Sequence, residues 1–119
     1  MELFAGWRHY RDVGAPAAMI SDEALMLAFQ RGANDAFEEL FARYREPLYG
    51  FFRRRLESKG RAEDLTQETF LAVIRGAARY EPRALVRTYL YGIALKLLAA
   101  ERRKRTGDQS SAPFDFVSP

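Results

Sequence analysis

The sequence predicts an all-α fold: a single compact helical bundle of about four helices with irregular N- and C-terminal tails. Apolar residues recur at steps of three and four in four separate stretches, and nowhere does the chain alternate with the period of two that a half-buried strand requires. With 119 residues, 48% hydrophobic and 13% aromatic, there is material for one core and not for two.

Residues 1 to 20 carry Gly6, Gly14 and Pro16 without a sustained period and read as an appended tail, in which Met19 is a candidate natural start. The aromatic and basic cluster Trp7 to Arg11 includes His9, the only histidine, which lacks the carboxylate or nucleophile spacing that a catalytic base needs. From Ser21 the pattern changes. Ser21 is a good N-cap, Asp22 and Glu23 suit the positive end of a helix, and Leu25, Leu27, Ala28 and Phe29 follow, so a first helix is expected over 22–31, stopped by Gly32. Asn34 opens a second, long amphipathic helix with Phe37, Leu40, Phe41, Tyr44, Leu48, Phe51 and Phe52 on one face. Pro47 predicts a kink or short break near Arg45, with the helix resuming to about Leu56 before Ser58, Lys59 and Gly60 end it. A third helix is expected over 62–78 with Leu65, Thr69, Phe70, Val73, Ile74 and Ala77 inward. The fourth is expected to start at Pro82 and Arg83 and to bury Leu85, Val86, Tyr89, Leu90, Ile93, Ala94 and Leu97 before ending near Arg105. Within this bundle Phe37, Phe41, Leu65, Phe70, Leu90 and Ile93 are the expected core. Residues 106–119, with Ser110, Ser111 and Pro113, read as a linker or tail, which leaves 21–105 as the domain.

Composition removes whole classes of function. The chain has no cysteine, which excludes thiol nucleophiles, disulfides and thiolate zinc sites, and a lone histidine excludes two-histidine metal motifs. No phosphate loop and no nucleophile and base pair can be read, so neither an enzyme, a cofactor nor a small-molecule substrate is expected. No apolar run approaches the roughly 18 residues of a membrane span, and a cytoplasmic protein without membrane contact is expected.

The net charge of +3 is small, but it is unevenly distributed. Residues 21–71 hold eight basic and ten acidic side chains, whereas 79–105 hold eight basic ones against Glu81 and Glu101. Arg75, Arg79, Arg83 and Arg87 continue the basic character of Arg102 to Arg105 back through the loop, with Tyr80, Tyr89 and Tyr91 interleaved. Cations that track phosphates beside rings that stack on bases are the composition of a single-strand nucleic-acid surface. The same arginines also suit a solvated helix end, and tyrosines at helical spacing also suit a core. Upstream, Asp64, Gln67, Glu68 and Leu71 fall at i, i+3, i+4 and i+7, an acidic-polar stripe with an apolar end that suits a basic partner helix or, more blandly, solvent.

The blocks Asp22-Glu23-Ala24-Leu25, Asp35-Ala36-Phe37, Asp64-Leu65-Thr66-Gln67-Glu68-Thr69-Phe70 and Arg87-Thr88-Tyr89-Leu90-Tyr91-Gly92-Ile93-Ala94 carry a resemblance. Over 21–105 the chain resembles region 2 of bacterial RNA polymerase sigma factors of the extracytoplasmic-function (ECF) group. The resemblance implies a transcription initiation domain that binds core RNA polymerase and captures the nontemplate strand of the promoter minus-ten element. By position, Asp64, Gln67, Glu68 and Leu71 would face the clamp helices of the largest polymerase subunit. Ala72, Gly76, Tyr80 and Lys96 would surround a flipped base, Arg79, Arg83 and Arg87 would hold backbone or loop contacts, and Arg75 and Arg103 add cations for phosphates. An anti-sigma factor is a further implied partner. The alternative is a sigma-like interaction module that binds polymerase or an anti-sigma factor without productive promoter recognition. Tyr89 stands in place of the family's usual Trp, a mild core change, Leu95 and Lys96 in place of Arg and Asn, and Ala100 in place of Asp; of these departures Lys96 motivates the alternative, together with a missing domain. An amide at position 96 could read a base edge with two hydrogen bonds, whereas a lysine offers a flexible point charge. The family's C-terminal helix-turn-helix domain is also missing, so the chain reads as a piece excised from a longer protein or as a stand-alone region 2.

Overall fold

The computed structural model describes residues 19–106, and within them four α-helices pack around one core. The readings of 1–18 and 107–119, including the Trp7 to Arg11 cluster, His9 and the C-terminal linker, lie outside the described residues. Ile20, assigned from sequence to the tail, is buried in the core.

Helix α1 spans Asp22–Gln30 and begins as its sequence dictates, with the Ser21 hydroxyl accepting from the Ala24 amide at 3.0 Å. Its end is a Schellman turn: the Gly32 amide donates to Phe29 O and the Ala33 amide to Ala28 O, with Gly32 at φ +103°. A Cβ at Gly32 would meet nothing within 4 Å, so its constraint is purely conformational. Gly32→Ala is expected to cost about 1–2 kcal/mol in urea denaturation, the penalty of a left-handed backbone for an L-residue.

Helix α2 spans Asn34–Arg53 and runs through Pro47 as one continuous helix, without the short break that was expected as the alternative to a kink. Proline removes one backbone donor, but Tyr44, Leu48, Phe51 and Phe52 are buried on either side of it, and this burial holds both halves in one helix. The helix stops three residues before the expected Leu56, whose amide donates to Phe52 O at 2.9 Å and whose carbonyl accepts from Arg53 at 3.1 Å.

Ser58 does not end α2. It caps α3, which spans Lys59–Gly76 and starts three residues earlier than its apolar pattern suggests; the Ser58 hydroxyl accepts from the Arg61 amide at 3.1 Å. Lys59 and Gly60 form the first turn, where the amides have no helical partner anyway. The buried face is Ala62, Leu65, Thr66, Thr69, Phe70, Ala72, Val73 and Gly76. Thr66 and Thr69 fit it because each hydroxyl donates at 2.8 Å to the carbonyl four residues back, Ala62 O and Leu65 O. Ile74, expected inward, lies off this stripe and is 45% exposed.

The chain then tightens into a 3-10 turn over Ala77–Arg79. Pro82 and Arg83 do not start the last helix. They are the central residues of a turn closed by the Ala84 amide on Glu81 O, a position that proline's fixed φ favours. Helix α4 spans Val86–Arg105, and Leu85, expected to be buried, is its N-cap residue and 61% exposed.

Leu25, Leu48, Phe52, Val73, Val86 and Leu90 fill the centre. Leu65 and Phe70 are buried as expected, whereas Phe37, Phe41 and Ile93 are half-buried at the margin. A ladder of rings joins the helices there, Phe29 to Phe37 at 5.0 Å, Phe37 to Phe70 at 6.1 Å and Phe41 to Phe70 at 4.8 Å.

Candidate polymerase-docking and nucleic-acid surfaces

Burying Leu65, Thr66, Thr69 and Phe70 turns the opposite face of α3 to solvent, and Asp64, Gln67, Glu68 and Leu71 are all exposed on it. Ile74 lies three residues beyond Leu71, so the apolar end of the stripe is longer than the sequence suggested. Asp64 is not an isolated charge. Arg61 donates to it at 2.8 Å and, through its other guanidinium edge, clasps Glu101 on α4 at 2.9 and 2.7 Å. This clasp holds the Glu101 carboxyl below the usual carboxylate range, outweighing burial, with Lys104 and Arg105 assisting. Beside the stripe, a groove of about 560 Å³ opens between α2 and α3, with Phe41, Tyr49 and Phe70 on its apolar side and Arg45, Glu63 and Gln67 among its polar lining.

Arg75, Arg79, Arg83 and Arg87 are exposed around the junction of α3 and α4, whereas Lys96, also exposed, lies further along α4 and Arg103, half-buried, lies in its last turn. Arg83 reaches Glu81 at 2.7 Å, but with both side chains mostly in water this pair is weak and exchangeable. Arg87 lies over the Tyr91 ring, 5.4 Å from its centre.

Ala72, Gly76 and Tyr80 do not form an open cleft. Tyr80 is only 6% exposed; its ring packs 5.4 Å from Tyr89, and its hydroxyl donates to the Ala84 carbonyl. Burial and the nearby Glu23 and Asp22 carboxylates push its hydroxyl up to about 12. Ala72 and Gly76 are buried too, and a Cβ placed on Gly76 would lie 2.8 Å from the Tyr89 hydroxyl oxygen. A glycine stands there because Tyr89 takes the room a side chain would need. Lys96 follows Tyr89 by seven residues, two turns along α4 and about 10 Å away along its axis.

The loop between the 3-10 turn and α4 is fastened by Gln30, which the sequence did not single out, and by Glu23, which it marked only as suited to the start of α1. Gln30 donates from Nε2 to Ala77 O at 2.6 Å and Tyr80 O at 2.8 Å, and Glu23 accepts from the Val86 amide at 2.7 Å. Their partners lie 47 to 63 residues away, so no local pattern could have announced them. Among the described residues no cluster of side chains is suited to hold a metal ion, and no helix is long and apolar enough to cross a membrane.

A family model described as sigma-70 region 2 matches residues 40–107. The RNA polymerase sigma factor CarQ of Myxococcus xanthus is 41% identical over 95 residues, which cover 79% of this chain and 55% of that protein. The ECF RNA polymerase sigma factor SigM of Mycobacterium tuberculosis is 29% identical over 99 residues, covering 83% of this chain and 50% of the relative. For the ECF RNA polymerase sigma factor BldN of Streptomyces coelicolor the values are 38% over 85 residues, 66% and 32%. The chain thus spans about half the length of these curated relatives, or less. No solved structure matches it.

Proposed function

The chain belongs to the sigma-70 region 2 family, in its extracytoplasmic-function group, and on that premise we propose that it is a transcription initiation domain that joins core RNA polymerase to melted promoter DNA. The observation that carries the reading is the division of its surface: an acidic-polar stripe with an apolar end on α3, and exposed arginines gathered around the loop into α4. In this reading Asp64, Gln67, Glu68 and Leu71 meet the clamp helices of the largest polymerase subunit. Arg75, Arg79, Arg83, Arg87, Lys96 and Arg103 face the phosphates of the nontemplate minus-ten strand. A base reaching Ala72 and Gly76 has to displace the Tyr89 hydroxyl, and Tyr80 borders the site from within the fold. The domain acts by binding, in the cytoplasm where polymerase works, and no bond is made or broken.

Two measurements test this. Asp64→Arg breaks the 2.8 Å pair with Arg61 and sets two guanidinium groups side by side; it is expected to weaken retention on core polymerase about tenfold, with stability lowered by about 1 kcal/mol. Unchanged retention would remove the docking role of this face. Titration of a fluorescent nontemplate minus-ten oligonucleotide, with core polymerase present, is expected to give a log affinity falling against log salt with a slope of roughly −3, as for about four phosphates on a single strand. Lys96→Asn should reduce that slope. The covered Ala72 and Gly76 and the lysine at 96 favour a second reading, an interaction module that binds polymerase or an anti-sigma factor; a flat salt response with normal polymerase retention would select it.

A further inference from the structure

Helix α1 carries none of the residues assigned above to polymerase or DNA, and it lies outside the segment that the family model matches. Its inner face nevertheless touches both ends of the loop that joins α3 to α4. At the near end the Gln30 amide donates twice, to Ala77 O at 2.6 Å, which also accepts the Tyr80 amide at 3.1 Å within the 3-10 turn, and to Tyr80 O at 2.8 Å, and so holds the turn and the residue that leaves it. At the far end the N-cap residue of α4 is Leu85, whose side chain has no oxygen to cap a helix, and the Glu23 carboxylate supplies an acceptor from another element by taking the Val86 amide at 2.7 Å.

Glu23 and Gln30 are seven residues apart, two turns on one face of a helix, which sets their anchoring points about 10 Å apart. Between these anchors the loop closes on itself through the Ala84 amide on Glu81 O and the Tyr80 hydroxyl on Ala84 O. Its exposed side chains, Arg83 and Leu85 among them, therefore project from a fixed frame. The frame is itself pinned to α2, because Asp22 accepts from Arg43 at 2.7 Å and from the Tyr44 hydroxyl. With a carboxylate already at the N-terminus of α4, the positive charge offered to a strand there comes from side chains, Arg83 and Arg87, and not from the helix end.

We propose that α1 is the positioning element of the strand-binding loop, and that Glu23 and Gln30 preset its shape for single-stranded DNA without touching the DNA themselves. This rests on the functional reading above and extends it to a helix that the reading leaves without a role. The test compares Glu23→Ala, Gln30→Ala and Glu23→Gln in the full chain, with a fluorescein-labelled single-stranded DNA of about 12 nucleotides as the probe. Strand binding is measured with core polymerase present, polymerase retention is measured separately, and amide hydrogen exchange is followed across the chain.

Each alanine variant is expected to weaken strand binding about tenfold, the scale of losing a charge-assisted or doubled hydrogen bond, while polymerase retention stays within about twofold. Glu23→Gln keeps an acceptor oxygen and should restore most of the binding. Exchange at Val86 should quicken in Glu23→Ala while the α2 and α3 amides hold their protection. Alanine variants that bind the strand as wild type does would overturn the positioning role, as would exchange that quickens uniformly over all four helices. A wild-type chain that ignores the strand would instead overturn the functional reading, and the Val86 exchange rate would still report whether Glu23 is the cap.

Discussion

Phe70→Ala is expected to lower the stability of the domain by about 3–5 kcal/mol, the range for deleting a buried phenylalanine ring. The ring is buried on α3 and is the point at which that helix meets α2, with the Phe41 ring 4.8 Å away and the Phe37 ring edge-on at 6.1 Å. Both neighbours are themselves only half-buried, so neither has a packed shell behind it that could close over the void. The groove between α2 and α3 would open further, because Phe70 forms part of its wall beside Gln67. Urea denaturation followed by circular dichroism measures the loss directly. A cost below about 1 kcal/mol would mean that the site collapses freely and that the ring ladder does not hold α3 in place. Phe70→Leu fills most of the volume and should recover much of the difference, which separates packing from any polar consequence of the change.

The parts of this fold that local sequence specifies are those whose partners lie a few residues away. Ser21 with Asp22 and Glu23 marks the start of α1, Gly32 its end, and the apolar steps from Leu40 to Phe52 the buried face of α2. Ser58-Lys59-Gly60 misleads because the same three residues can stop one helix or start another; the choice falls to whichever backbone group the Ser58 hydroxyl satisfies, and it satisfies the Arg61 amide. Ile74 misleads by its chemistry, since an apolar side chain beside an inward stripe looks like part of it until Val73 and Gly76 take the buried positions. Tyr80 is ambiguous in the same way. A ring can stack on a base or pack in a core, and burial against Tyr89 is a tertiary outcome that spacing does not encode. The acidic-polar stripe of α3 was legible as an exposed helical face because exposure follows from the phase of Leu65, Thr69 and Phe70. The anchors Glu23 and Gln30 were not, because polar residues on an amphipathic helix ordinarily meet water, and only the folded chain brings Val86, Ala77 and Tyr80 to them.

Glu101→Ala is expected to cost about 2–3 kcal/mol at neutral pH, less than the 3–5 kcal/mol typical of breaking a fully buried pair. Glu101 is 6% exposed, but its partner Arg61 remains 33% exposed and keeps Asp64 at 2.8 Å, so the guanidinium is not stranded when the carboxylate is removed. What is lost is the two-point bond between the start of α3 and the last turns of α4, in a place where Lys104 and Arg105 leave a surplus of positive charge. The carboxyl is held below the usual carboxylate range chiefly by the Arg61 hydrogen bonds, which gives the effect a sign in pH. In the acid range the unfolded chain binds a proton at Glu101 before the folded one does, so this contribution is complete above the ordinary carboxylate range and is lost as pH falls through the depressed folded value. Glu101→Gln keeps the shape without the charge. Its stability deficit against wild type should therefore be present at about pH 7 and shrink toward about pH 3, read from urea midpoints at the two values. No deficit at either value would mean that Glu101 contributes by its packing alone, and that the orientation of Asp64 on the exposed face of α3 owes nothing to the charge behind Arg61.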